Sequence, residues 1–328
     1  LLGGLLLLGA CATSGEPVER LVADAGVRTT RVLAYDADGL TRRLEEGDAT
    51  AAFVATWRAC NGSTQCSIAG PSTTEQAQRR ELADAVVLRA EAIAGLNRAY
   101  SAFRAEVTGQ SDAPADRAIR EAITGTVSYG NTLANIQFGS GTAVFARPLE
   151  RAAGDVASVT VAGQRRSRML IASAALAEAT TNLREAMMLE TRKYDALTEV
   201  LVRERIDAHR SLLQAGLVSG AGALRPVADR LGVPLARDAD LIVARSASAR
   251  IAVEAMIEAS ERAEIRRTQL RYRAAVNALI ELEQVHAQMN AGATPDLSEL
   301  DQALWNLERL ADPTAGPAVR TVATATGN

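Results

Sequence analysis

What most constrains this chain is the distance over which a helical period runs without a break. Between residues 165 and 214, Leu176, Leu183, Met187, Tyr194, Leu197, Leu201, Ala208 and Leu212 fall at spacings of three, four and seven, and Gly216 follows as a stop. Between residues 238 and 290 the stripe is Ala252, Ala255, Ala259, Ala263, Leu270, Ala274, Ala278, Leu282, Val285 and Met289, closed by Gly292. Each run is about 50 residues, roughly 75 Å of unbroken helix. The connection "AGLVSGAGALRPVADRLGVPLARDAD" holds a short helix between turns marked by Gly and Pro, so the two long helices are expected to return antiparallel.

The rest of the chain extends this helical reading. Ser72 and Glu75 fit a capping box, Gly109 a stop, and between them Leu82, Val86, Ile93, Leu96, Tyr100, Phe103 and Val107 form one stripe. A further helix starts around Asp112-Ala113-Pro114 and weakens through Gly125, Gly130 and "GSGT" at 139–142. Residues 18–59 read as two or three short helices, interrupted near Asp38-Gly39 and Gly47-Asp48. "DADG" reads there as a turn, since a calcium loop needs Gly at its sixth position and Glu at its twelfth. An amphipathic helix from Leu297 to Leu310, carrying Trp305, is placed across the bundle. "VASVTVAG" at 155–162 is the one β-prone stretch, and no strand is expected.

The expected fold is therefore all-α: an elongated antiparallel helical bundle with two very long helices and short flanking helices. It occupies residues 18–312, followed by a tail, 313–328, disordered by composition. Alanine makes up about a fifth of the chain. Ala-rich seams bring helix axes toward the lower end of the usual ~8–10 Å spacing, leaving little room for a buried ligand.

The N-terminus carries an address. The apolar run Leu1–Ala10 is about half the length a membrane-spanning helix needs, a length that suits a secretory leader. Leu8-Gly9-Ala10-Cys11 resembles the lipobox of bacterial lipoproteins. The resemblance covers residues 1–11 alone and implies cleavage before Cys11, a diacylglyceryl group on its sulfur, and acylation of the new amino terminus. Residues 1–10 are then a signal peptide, truncated because neither Met nor a basic segment precedes Leu1, and 11–17 a lipidated tether. Ala12, not Asp, follows the cysteine, which by the same resemblance implies the periplasmic face of the outer membrane, with the inner membrane as the other destination. Stable anchoring takes more than one lipid signal, and two or three acyl chains on Cys11 supply it.

Export changes the meaning of the other two cysteines. "CNGSTQC" lacks the CxxC spacing of redox and metal motifs, and Cys60 and Cys66 are expected to form a structural disulfide in an oxidising compartment. A net charge of −3, with Lys193 the single lysine, shows no nucleic-acid signature.

Little in the sequence points to catalysis. There are two histidines, His209 and His286, each near the end of a long helix, where an imidazole meets terminal carbonyls and the helix dipole. Glu283 and His286 form one E-x-x-H, half of the pattern that di-iron carboxylate bundles use, and Ile206 stands where a matching acid upstream of His209 is needed. They are the weak metal candidates of a chain expected to use no cofactor beyond its lipid. The runs "ETRKYD", "VRERID" and "SERAEIRR" read as solvated faces. The expected function is non-enzymatic: a lipid-anchored periplasmic scaffold or adaptor that meets a protein or cell-wall partner, with no nucleic acid. The alternative is a ligand- or metal-binding carrier or enzyme using the Glu283/His286 region.

Overall fold

A computed structural model describes residues 18–60, 73–110, 115–138 and 165–311. The described residues are all-helical, without a strand, and form eight helices: α1 Val18–Cys60, α2 Thr73–Val107, α3 Asp116–Phe138, α4 Arg165–Gln214, α5 Gly220–Leu231, α6 Ala239–Arg245, α7 Ala247–Asn290 and α8 Ser298–Ala311. The lipobox with Cys11, the tether, Cys66, the Ser72 cap, "VASVTVAG" and the tail from 313 lie outside the described residues.

Glycine stops the helices where a left-handed residue is needed. Gly109, Gly216, Gly232 and Gly292 all have φ between 68° and 79°. Each is followed by a wide backbone bond that closes the last turn: Gln110 N to Ala105 O at 2.8 Å, Leu217 N to Leu212 O at 3.0 Å, Val233 N to Ala228 O at 3.0 Å and Ala293 N to Gln288 O at 2.9 Å. Three of these glycines, 109, 216 and 292, are the stops read from the sequence.

Elsewhere glycine does the opposite. Residues 18–59 are not two or three short helices; α1 runs for 43 residues through Gly39 and Gly47, and "DADG" lies inside it as helix, not as a turn. A Cβ at Gly47 would fall 2.5 Å from Leu201 Cδ2 of α4, so the residue admits a neighbouring helix. The close approach of Leu201 is set against the ~1 kcal/mol that a helical glycine costs relative to alanine.

The expected helix over 238–290 is also corrected. It is broken at Ser246, whose extended backbone (φ −104°, ψ 114°) separates α6 from α7 and whose Oγ accepts from Ala249 N at 3.2 Å. The first half of α7 buries a different face from the one expected. Ala252, Ala255, Ala259, Ala263 and Leu270 are exposed, whereas Val253, Ile257 and Ile265 are buried. The two stripes lie on adjacent faces, and the larger side chains remove more apolar area from water. From Tyr272 onward the expected positions Ala278, Leu282, Val285 and Met289 are buried.

One large core joins the first half of α1, α2, α3, the first half of α4, the second half of α7 and α8. It gives way to two small clusters, Val202/Ile206/Ile265 and Val243/Val253/Ile257. Polar pairs mark how α4 meets α7: Ser173 with His286, Arg184 with Glu283, Glu190 with Tyr272, Arg205 with Glu261 and Arg210 with Glu254. Numbers rise along one helix as they fall along the other. α1 begins beside α8 (Arg28–Asp301, 2.7 Å) and ends beside the far part of α4 (Arg58–Asp207, 2.8 Å).

Candidate functional site: sealed polar clusters and an apolar tip

Glu190 of α4 is the hub of a buried polar cluster. Its Oε2 accepts from Arg89 Nη1 of α2 at 3.1 Å and from Tyr272 Oη of α7 at 2.7 Å, and the Tyr129 hydroxyl of α3 reaches the same oxygen. The Arg89 guanidinium also sits over the Tyr272 ring, 5.2 Å from its centroid. All four residues are at least 95% buried. An unpaired carboxylate or guanidinium here would cost several kcal/mol, roughly 3–5, so each ion is held by the other and by the two phenols. Burial, reinforced by the nearby carboxylate, holds both phenol pKa values well above 10, so both hydroxyls stay protonated as donors. "ETRKYD" therefore does not begin on a solvated face, and in "SERAEIRR" Glu261 is buried as well.

A second cluster is built on His286. It lies fully buried in the main core, not at the terminal carbonyls of its helix. Thr180 Oγ1 donates to the Leu176 carbonyl at 2.8 Å, which leaves its oxygen to accept from Tyr100 Oη at 2.9 Å. Tyr100 in turn accepts from His286 Nε2–H at 2.6 Å, and Ser173 Oγ donates to Nδ1 at 2.8 Å. Every member of this directed chain is neutral: burial pushes the His286 pKa down to about 3 and that of Tyr100 up. Both ring nitrogens are engaged, so the imidazole offers neither a free base nor a metal ligand in this arrangement.

The other predicted residues are dispersed. Glu283 is half-buried and binds Arg184 Nε at 2.6 Å, away from the hydrogen bonds of His286; burial raises its pKa against the pull of Arg184. His209 stands not at helix-end carbonyls but with its Nδ1 3.6 Å from Glu261 Oε1, outside hydrogen-bond range, while Arg205 Nε holds the other oxygen of that carboxylate at 3.2 Å. Among the described residues, no group of three His, Cys, Asp or Glu side chains could hold a metal ion. Cys60 is the last residue of α1.

The surface is most unusual where α4 hands over to α5, α6 and the start of α7. Two adjoining grooves of about 380 and 290 Å³ share Leu213, Val218 and Ser219; the first continues to Arg250, the second to His209 and Glu261. Asp240 braces this tip, accepting from Ser219 Oγ at 2.5 Å and Ala221 N at 3.0 Å, bonds that hold its carboxyl below the usual range. Large aliphatic side chains stand out in water around it, including Leu231 at 68% and Ile251 at 67% exposure. Sequence reading placed a helix and turns here but missed the apolar surface, which was legible as "GLV", "RLGV" and "DLIV" in a segment without a long amphipathic period.

No family model matches the chain, and neither the curated proteins nor the solved structures provide a match. No helix among the described residues is long and apolar enough to cross a membrane.

Proposed function

We propose that this chain is a lipid-anchored, non-catalytic helical scaffold or adaptor of the bacterial cell envelope. It is held on the periplasmic face of the outer membrane through acyl chains on Cys11 and presents an elongated antiparallel bundle to a protein or cell-wall partner. The observation that carries this reading is where the chemistry-bearing side chains lie. Glu190, Arg89, His286 and three tyrosines are sealed between helices and engaged with one another. Groups used in this way lock the register of four helices and leave the exterior as the working surface.

The alternative carrier or enzyme reading needs Glu283 and His286 to act together, and they are committed to Arg184 and to Tyr100 and Ser173. The anchor is tested by labelled fatty acid and fractionation in an expressing bacterium. Wild type is expected to take up label and sediment with membranes, and Cys11→Ser to do neither. Label on the Cys11→Ser protein would overturn the anchor; stoichiometric iron, manganese or zinc in the purified protein would overturn the scaffold.

A further inference from the structure

We infer that the tip formed by residues 217–251 is a docking surface for an anionic lipid bilayer. Exposed aliphatic side chains concentrate there: Leu217, Leu231, Val233, Leu241, Ile242 and Ile251 are each 48–68% exposed. They come from five places, namely the turn after α4, the end of α5, the turn beyond it, α6 and the second turn of α7. An apolar surface assembled from so many short elements is broad. It offers neither the single helix face that a grooved protein takes nor a strand edge, and it suits the boundary between headgroups and acyl chains.

Charge selects the kind of bilayer. Arg225, Arg230, Arg237, Arg245 and Arg250 all lie in this segment and all are exposed. None of them makes an ion pair among the described residues, whereas Arg205, Arg210, Arg262 and Arg273 farther along α4 and α7 do. Three aspartates share the segment, Asp229, Asp238 and Asp240, and Asp240 is spent on Ser219 and Ala221. Five positive charges against three negative leave the tip at +2, while the rest of the chain, with 31 of the 36 basic and 36 of the 39 acidic residues, stands at −5. An anionic surface therefore attracts this end and repels the body, which orients the contact end-on. Arginine stems lie along apolar surface while their guanidinium groups reach lipid phosphates. The inference does not depend on the leader or its lipid.

The test uses a chain begun at Ala12, which keeps every described residue and removes both leader and lipid. It is mixed with phosphatidylcholine vesicles, with and without phosphatidylglycerol, and floated on a density gradient. Binding is expected only with phosphatidylglycerol present, and it should weaken as salt rises. Arg245→Glu with Arg250→Glu is expected to weaken binding on the order of a hundredfold. Leu241→Asp with Ile251→Asp should abolish it, whereas Met188→Asp with Val200→Asp, about half exposed and off the tip, should leave it unchanged. All these variants alter exposed positions, and circular dichroism checks that they stay folded. Absence of binding, equal binding to pure phosphatidylcholine, or binding that survives the tip substitutions would overturn the inference. So would a concentration-dependent dimer, lost in the tip variant and formed without vesicle binding, since that would seat a second copy on the tip.

Discussion

Tyr100 Oη lies 2.6 Å from His286 Nε2, joining α2 to α7 across the main core through two uncharged groups. The imidazole can stay there only while it is neutral. Its folded-state pKa is about 3 against 6.5 for a free side chain, so as the pH falls below 6.5 the unfolded chain takes up a proton that the folded chain refuses. Stability from this residue is complete above pH 6.5 and is lost progressively between 6.5 and 3, at up to ~1.4 kcal/mol per pH unit.

Chemical denaturation followed between pH 7 and pH 4 checks this. His286→Gln is expected to cost stability at pH 7 and to show a shallower acid slope than wild type. Parallel slopes in the two proteins would show that His286 is not the titrating group. Glu283, whose pKa is raised by burial, contributes with the opposite sign and is common to both proteins.

Glu190→Leu is expected to destabilise the protein by about 3–5 kcal/mol, because it leaves the Arg89 guanidinium buried without its carboxylate. Adding Arg89→Met should recover part of that loss, since no buried ion then stands unpaired, while the Tyr129 hydroxyl still lacks its acceptor. Tyr129→Phe alone is expected to cost about 1.5–3 kcal/mol, the range for a hydrogen bond to a charged group. Urea midpoints give all three values, and a double variant no more stable than Glu190→Leu would show that the pair is not coupled.

Two helical glycines should respond in opposite directions. A Cβ at Gly26 would fall inside the Tyr100 ring, which His286 and Thr180 hold in place, so Gly26→Ala is expected to cost about 1–3 kcal/mol. At Gly125 the nearest atom to an added Cβ is Ala92 Cα at 3.8 Å, an ordinary contact, and Gly125→Ala should gain up to ~1 kcal/mol of helix propensity. Thermal melts of the two variants settle the comparison.

Cys60→Ser with Cys66→Ser is expected to lower stability by ~1–3 kcal/mol and to leave helix content nearly unchanged, because the main core is built from other segments. Intact mass after alkylation under denaturing conditions, with and without reductant, tests the bond itself. Two reactive thiols in the unreduced exported protein would remove the disulfide from the account.

The sequence by itself determined that the chain is helical, where α2, α4 and α7 stop, and which face α2 and the second half of α7 bury. These properties are set by residues a few positions apart: a glycine that admits positive φ, or apolar side chains spaced by one or two turns. The tertiary structure decided what those local signals leave open. Gly47 reads as a breaker until Leu201 is known to lie against it, and Val253 and Ile257 displace an alanine stripe only once α7 has a neighbour to bury against. Glu190 sits in a run of charges, and nothing near it in the chain announces burial, because its partners are Arg89, Tyr129 and Tyr272. His286 likewise depends on Tyr100 and Ser173. A polar group is worth burying only where its partners converge, and that convergence, between residues 61 to 186 positions apart, exists only in the folded chain.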